Sequence, residues 1–267
     1  MNCSKFKTPI SYYGGKQSML KEIIPLIPGH KKYVEPFFGG GAVFWAKEPS
    51  DFEVINDVNS HVVNFYEVLK HDFFNLRQAV ESTLHSRQTY KHALVIYNLP
   101  QLFSRVQRAW AFWVCTSQGF ASTIGTWGYA RTNSSTKRLT NKIEAFKEDL
   151  EQRMRCTTIE CNGADKVITV HDSADTFVYA DPPYVDSDQG HYGGYTNEHF
   201  ERDLKALASM KGKFLLSSYP SELLESYIKE HGWHTKRIDK SLSASNGATT
   251  SKRGRKIEVL TANYSLE

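Results

Sequence analysis

Two short runs in this chain combine residue types that can handle a ligand. The first is Tyr33-Val34-Glu35-Pro36-Phe37-Phe38-Gly39-Gly40-Gly41, where an apolar stretch ends in a glycine turn. Glycines there let the backbone approach a bound molecule closely, and a helix opening at the turn adds its positive end. About eighteen to twenty residues later, a second apolar stretch, Glu53 to Asp57, ends in Asp57. An acid in that place commonly accepts from ribose hydroxyls, so the pair points to a nucleoside-bearing cofactor. It is not a dinucleotide fingerprint, because the GxGxxG spacing is absent and Pro36 with two phenylalanines occupies the turn. The second run is Asp181-Pro182-Pro183-Tyr184, directly after the apolar Thr176 to Ala180. Prolines lack N–H donors, so this segment presents carbonyl oxygens and the Asp181 carboxylate as acceptors aimed one way. Such acceptors suit an exocyclic amine, and Tyr184 adds a flat face for a base drawn out of a duplex. The structural alternatives are a tight turn with a capping aspartate and a proline-stopped strand with a surface tyrosine.

Both runs need a strand end to aim them into a crevice. The pattern predicts strands over Lys32 to Glu35, Glu53 to Asp57, Thr157 to Cys161, Thr176 to Asp181 and Lys213 to Ser217. Helices are expected over Met19 to Ile27, from near Ala42, over Val62 to Lys70, Phe200 to Met210 and Glu222 to Glu230. Two last strands, His234 to Asp239 and Glu258 to Tyr264, follow with no helix between them. This alternation predicts an α/β fold, a mostly parallel sheet covered on both faces with an antiparallel hairpin at its C-terminal edge. From Asp72 to Met154 the alternation stops. Helical stretches at Phe73 to Leu84 and Arg105 to Thr116 precede the Gly-, Ser- and Thr-rich Gly119 to Thr136, read as an exposed loop or hairpin. The expected organisation is therefore residues 1–71, an inserted helical and hairpin unit over 72–154, and residues 155–267 completing the first unit.

A length of 267 residues, 40% of them hydrophobic and 23% charged, suits an ordinary globular protein with a full core. The first residues carry no apolar run of signal-peptide length, and nowhere do about eighteen uncharged apolar residues follow one another, so a cytoplasmic protein without a membrane partner is expected. Cys3, Cys115, Cys156 and Cys161 lack CxxC spacing and zinc-site histidines, so they read as reduced thiols and no metal is expected. A net charge of +4 suits a phosphate-bearing partner without requiring one.

Tyr12-Tyr13-Gly14-Gly15-Lys16, Val34 to Gly41 and Asp181 to Tyr184, in that order, resemble three motifs of the Dam family of DNA adenine methyltransferases. These are its aromatic-x-Gly-Gly-Lys motif, its Val-Glu-Pro-Phe-x-Gly-x-Gly turn and its catalytic tetrapeptide. Asn56-Asp57-Val58-Asn59, and Ser245-Asn246-Gly247 through Glu258-Val259-Leu260, extend the likeness over nearly the whole chain, the middle being least alike. The resemblance implies a Rossmann-like, S-adenosylmethionine-dependent methyltransferase fold with an inserted target-recognition unit. It implies transfer of a methyl group from S-adenosylmethionine to the N6 amine of a flipped-out adenine in double-stranded DNA. Tyr12, Lys16, Glu35, Phe37, Gly39, Gly41 and Asp57 are then cofactor-binding. Asp181 lies where cofactor and target meet, and Pro182, Pro183 and Tyr184 complete the catalytic segment. Where the family often has an acid for the cofactor's adenine amine, this chain has Asn162, whose carbonyl can accept, with Asp165 as the alternative. The implied chemistry is direct displacement at a sulfonium, which needs alignment and exclusion of water. Methylation of cytosine N4 or of RNA on the same fold, or a silent DNA-binding relative, are the rival readings. The motif order argues against the first two, and the intact Asp181, Tyr184 and glycine turn against the third.

DNA contact is expected in the insertion, where Arg105, Arg108, Arg131, Lys137, Arg138 and Lys142 occur with Trp110, Trp113, Trp127 and Tyr129. Trp110 and Trp113 stand at helical spacing and fit a core better. That leaves Phe120 to Arg131, around Trp127, as the segment that enters a groove or fills the gap left by a flipped base. Asn246 and the run Lys252-Arg253-Gly254-Arg255-Lys256 lie between the last strands, where the run is either a phosphate contact or a solvated hairpin tip. Tyr192 and Tyr195 either cover the pocket or are plain loop aromatics. No obligate protein partner is evident.

Overall fold

The strand Thr176–Ala180 is buried at every position, which a strand can be only where both faces of its sheet are covered. The structure, a computed structural model, describes residues 7–129, 134–185, 194–241 and 255–267. Its strands are β1 (Lys32–Glu35), β2 (Phe52–Asn56), β3 (Thr157–Glu160), β4 (Thr176–Ala180), β5 (Lys213–Ser218), β6 (His234–Ser241) and β7 (Arg255–Ala262). They form one sheet in the order β3-β2-β1-β4-β5-β7-β6. Strands β1 to β5 pair in parallel, and β7 is antiparallel to both neighbours. The expected α/β sheet and C-terminal hairpin are thus present, with β7 slotted between β5 and β6. The reason lies in the side chains: Val259, Leu260 and Ala262 of β7 are buried, whereas His234, Lys236 and Arg237 leave β6 polar enough to form an exposed edge.

The helices are α1 (Leu20–Ile23), α2 (Ala42–Ala46), α3 (Ser60–His71), α4 (Phe73–Glu81), α5 (Arg87–Asn98), α6 (Arg105–Gln118), α7 (Ser134–Glu144), α8 (Glu148–Met154), α9 (Ala164–His171), α10 (Asn197–Ala208) and α11 (Glu222–His231). The helix expected over Met19 to Ile27 is instead a single α turn between two 3-10 turns, because Pro25 supplies no N–H to continue it. Side-chain caps fix several starts: Asn59 accepts from His61 N at α3, and Ser104 and Gln107 form a reciprocal capping box at α6. None of the described helices is long and apolar enough to cross a membrane.

Strand alternation divides the core in two. Tyr33, Phe177, Tyr179, Leu215 and Leu260 point to one face and pack with Phe65 of α3, Leu76 of α4, Tyr90 of α5 and Phe112 and Trp113 of α6. Val34, Val178, Ala180, Phe214 and Leu216 point to the other, against Phe200 and Leu204 of α10 and Trp233. Trp113 is fully buried and donates from Nε1 to the Pro9 carbonyl at 3.0 Å, and Trp110 donates to Thr83 Oγ1 at 2.8 Å, so both serve packing.

A buried ion cluster ties the end of the helical segment to the sheet. Glu53 at the start of β2 accepts from Lys47 at 2.5 Å and from both ends of the Arg153 guanidinium of α8, which also lies 3.7 Å from the centre of the Phe44 ring. Burial opposes the Glu53 charge, but the two cations outweigh it and hold its carboxyl below the usual range. Removing one partner strands the others in a dry setting. Arg153→Ala is therefore expected to cost about 3–5 kcal/mol in urea unfolding, and a loss near zero would show that the cluster contributes little.

Candidate active site at the carboxyl edge of the sheet

The side-chain alternation that packs the first face also builds the site. Glu35 stands two residues beyond Tyr33, Asp181 two beyond Tyr179, Ser217 two beyond Leu215, and Glu258 two before Leu260. All four therefore project from the same face at the carboxyl edge, on the adjacent strands β1, β4, β5 and β7. Lys16, from the turn before α1, is buried over this row at 6% exposure. Its Nζ lies 2.6 Å from Asp181 Oδ1 and 3.4 Å from Glu258 Oε1, and 4.9 Å from the centre of the Tyr184 ring. Gly14, at a φ of 75°, makes the turn that brings its own carbonyl within 3.3 Å of the Lys16 ammonium as an acceptor.

The electrostatics follow from burial. Desolvation acts to lower the Lys16 pKa, but Asp181 and Glu258 outweigh it and hold the ammonium above its ordinary value. Asp181 is raised by burial against the pull of Lys16. Tyr184 is raised well above a free phenol by burial and by the two carboxylates, so it stays a hydrogen-bond donor. Its hydroxyl donates to Glu258 Oε1 at 2.6 Å, and Ser217 Oγ donates to the same oxygen at 2.8 Å. Glu35, fully buried, accepts from Tyr33 at 2.6 Å and is pushed up to about 8 by desolvation, which outweighs that hydrogen bond.

The glycine turn sets the opposite wall. Gly39 N donates to Asp57 Oδ2 at 2.8 Å and Asn59 N to Oδ1 at 2.9 Å, which fixes the Asp57 carboxylate. Gly41 has a φ of 63°, and a Cβ there would meet the Phe38 ring at 2.4 Å, so only glycine fits. One cavity is lined by Tyr12, Lys16, Glu35, Phe37, Gly39, Gly41, the whole of Asp181 to Tyr184, and Tyr219. A second shares Phe37 and Pro183 with it and is lined by Asp57, Asn162, Tyr97, Tyr195 and His199. Tyr195 meets Phe37 edge-on at 6.2 Å and is anchored by a 2.6 Å bond to Asp203, whose carboxyl burial raises to about 6. Asn162 is seated by reciprocal bonds with Asn56 at 2.8 and 3.0 Å. Asp165, in the first turn of α9, lines neither cavity.

The residues expected to meet DNA are less concentrated. Trp127 and Tyr129 stack at 5.7 Å, and the Arg87 guanidinium sits 4.7 Å over Trp127. The hairpin carrying them is closed by the Gly119–Trp127 bridge and a 2.8 Å bond from Gly128 N to the Gln118 carbonyl. Arg138 and Tyr129 line a small cavity beside it, and Lys137 is exposed on α7. Arg105 is exposed and paired with Glu67. Lys142 departs from the expected basic cluster: it turns inward to donate to Ser11 and Ser117, and burial lowers its pKa to about 8. Arg255 opens β7, while Arg131, Tyr192, Asn246, Lys252 and Arg253 lie outside the described residues.

Sequence reading assigned no role to Glu258, Ser217, Tyr97, Tyr219 or Arg87. An acid inside the apolar run Ile257-Glu258-Val259-Leu260 was the available signal for the first. The others depend on which elements pack together.

The model of the D12 class of N6 adenine-specific DNA methyltransferases matches residues 12–244. The chain is 29% identical over 272 residues to the type II methyltransferase M1.LlaDCHI of Lactococcus lactis subsp. cremoris, covering 94% of this chain and 93% of that protein. It is 24% identical over 259 residues to the retron Ec67 DNA adenine methylase of Escherichia coli, covering 91% and 88%. A DNA N-6-adenine-methyltransferase of Escherichia phage P1 is 33% identical over 101 residues, which are 37% of this chain and 13% of that protein.

Glu35 gives this site a measurable pH signature. Its carboxyl titrates near 4.5 when free and near 8 in the fold, so between these values the unfolded chain ionises while the folded one keeps its proton. The unfolded state then binds fewer protons, and stability falls as pH rises through that window. Glu35→Gln mimics the protonated acid and keeps an acceptor for Tyr33. Its melting-temperature advantage over the wild type should grow from pH 5 to pH 8 and then level off; a constant difference would contradict the assignment.

Proposed function

The chain belongs to the D12 class of N6 adenine-specific DNA methyltransferases, enzymes that methylate adenine in DNA, and we propose that the two adjoining cavities take S-adenosylmethionine and a flipped-out adenine. The donor set fits that cofactor. The second cavity offers a nucleoside the backbone-fixed Asp57 carboxylate for its ribose, the Asn162 side-chain carbonyl for its adenine amine, and the rings of Phe37 and Tyr195. The first cavity offers an amino-acid moiety the Lys16 ammonium and the carboxyls of Glu35 and Asp181, with Tyr12 beside them, and Gly39 and Gly41 leave room for close approach. When bound, the cofactor supplies an activated methyl group on a sulfonium.

The chain's own residues supply alignment. Asp181 and the Pro182 carbonyl accept the hydrogens of the N6 amine, turn its lone pair toward the methyl group and stabilise the positive charge that develops on nitrogen. Pro183 stiffens the segment, and the Tyr184 ring gives the displaced base a stacking face. We assign target recognition to residues 72–154, with double-stranded DNA as substrate. The Trp127–Tyr129 stack under Arg87 is the wedge that enters the duplex, and Arg105, Lys137 and Arg138, with Arg131, Asn246, Lys252, Arg253 and Arg255, serve phosphates and groove edges. The cytoplasm, where such DNA is reached, is the inferred place of action.

The observation that carries this reading is the convergence of Lys16, Asp181 and Tyr184 on one cavity beside the one that Asp57 lines. Incubation with labelled S-adenosylmethionine and unmethylated genomic DNA should yield labelled N6-methyladenine within one short sequence. Asp181→Ala should lower turnover by at least about 10²–10³-fold, the scale for losing one group that stabilises developing charge. Lys16 keeps Glu258 as a partner in that variant, so thermal unfolding should stay cooperative. Near-normal transfer by Asp181→Ala would overturn the mechanism.

A further inference from the structure

One hydrogen on Tyr184 has three acceptors within reach. Glu258 Oε1 lies 2.6 Å from the hydroxyl, Ser217 Oγ 3.2 Å and Asp181 Oδ1 3.4 Å. The first distance is that of a charge-assisted bond, and the last is at the outer limit of any hydrogen bond, so the hydrogen belongs to Glu258. Ser217 adds its own donor to the same oxygen at 2.8 Å. Glu258 is 3% exposed and Ser217 fully buried, on strands locked side by side through the Ser217–Leu260 and Ser218–Val259 pairs. Neither acceptor can drift away.

We propose that Glu258 is a positioning residue for methyl transfer: it takes the Tyr184 hydroxyl as its own donor, holding the ring flat for the target base and leaving Asp181 free to accept from the amine. The inference rests on the reading of Asp181 and Tyr184 given above. Its physical content is a competition for lone pairs. Without Glu258, the phenol's next carboxylate is Asp181, which a small ring shift reaches. A captured Asp181 oxygen is one fewer acceptor for the N6 hydrogens. Lys16, released from its 3.4 Å partner, is then neutralised by Asp181 alone. The ring tilts in the same movement, so stacking and amine capture fail together. The acid inside the apolar β7 is thereby accounted for, and so is the placement of β7 directly beside β5.

The test is a double-mutant cycle between Glu258→Ala and Tyr184→Phe, with kcat and KM measured on a methylatable duplex and folding followed by thermal unfolding. Glu258→Ala should lower kcat by about 30–100-fold with KM for DNA changed by less than about threefold, the pattern of an interaction made in the transition state. Glu258→Gln, whose amide oxygen still accepts from Tyr184, should recover activity to within about tenfold of wild type. In the Tyr184→Phe background no hydroxyl exists to capture Asp181 and only the loss of the 3.4 Å Lys16 partner remains, so Glu258→Ala should cost less than about threefold further. Equal losses in both backgrounds would make Glu258 merely structural and overturn the proposal, as would an unchanged kcat. If Glu258→Ala does not fold, Glu258→Gln takes its place in the cycle and its loss must vanish in the same way. The wild-type enzyme in the same assay separates the two levels. A wild type inert on adenine overturns the reading of the site and the proposal with it, whereas an active wild type with an additive cycle overturns the proposal alone.

Discussion

A lysine ammonium at 6% exposure can persist only against opposite charge, and in this fold that means Lys16 held between Asp181 and Glu258. Much of the site follows from this. Two carboxylates must reach one point from different strands, so β4 and β7 must end or pass at the same edge with β5 between them. The turn at Gly14 must fold back tightly to deliver the ammonium. The carboxylates in turn need donors for the lone pairs that Lys16 does not fill, and Tyr184 and Ser217 provide them at Glu258. The buried charge thus specifies an arrangement rather than adding much net stability, since desolvation offsets most of the attraction.

The helices over residues 73–154 are bound into the same logic. Residues of α4, α5 and α6 share one apolar cluster with the sheet face from which Glu35, Asp181 and Glu258 project. Tyr97 of α5 stacks on His61 of α3 at 4.2 Å and reaches the cavity that Asp57 lines. Displacing α5 therefore alters the wall of that cavity as well as the surface above it. The Arg153–Glu53 cluster fastens the far end of the segment to β2. Residues remote in sequence meet because apolar area on this sheet face demands cover.

Local signals explain what was legible in the sequence. Strands β1, β4 and β5 are apolar runs ended by strong breakers, and the Asp181 and glycine-turn motifs lie at their ends, where chain geometry alone aims them. Helices α5 and α7 escaped because few of their residues face inward, α5 burying only Tyr90 and Ala93 and α7 only Leu139, and α8 and α9 because seven and eight residues are too short to display a helical period. Lys142 read as a surface cation because its composition hides that Ser11 and Ser117 lie beneath it. At the exit of β3 the main chain of Asn162 is fixed by reciprocal bonds to the Asn56 side chain, and Asn162 lines the cavity that Asp57 lines, whereas Asp165, in the first turn of α9, does not, a difference that the spacing of the two residues could not show. Register across β5 and β7 decides that Glu258 meets Tyr184, and no window of sequence around either residue contains that information.

Of the three carboxyls at this edge two face the Lys16 ammonium, and the chain balances the site with protons and hydrogen-bond donors. Glu35 keeps its proton up to about pH 8, so at neutrality it contributes a polar acid rather than a charge. Glu258 shares its charge with a phenol and a serine, and Asp181 is lifted by burial yet tied to Lys16. A cation arriving among these groups favours the ionised forms of Glu35 and Asp181, because the desolvation that raises their pKa values is offset by a nearby positive charge. Linkage then requires the reverse as well: ionising Glu35 strengthens the hold on the cation, and binding it releases a proton. Burial of acids at this edge therefore couples the proton balance of the site to the charge of whatever occupies it, a property that isolated surface carboxylates, already ionised and screened, do not have.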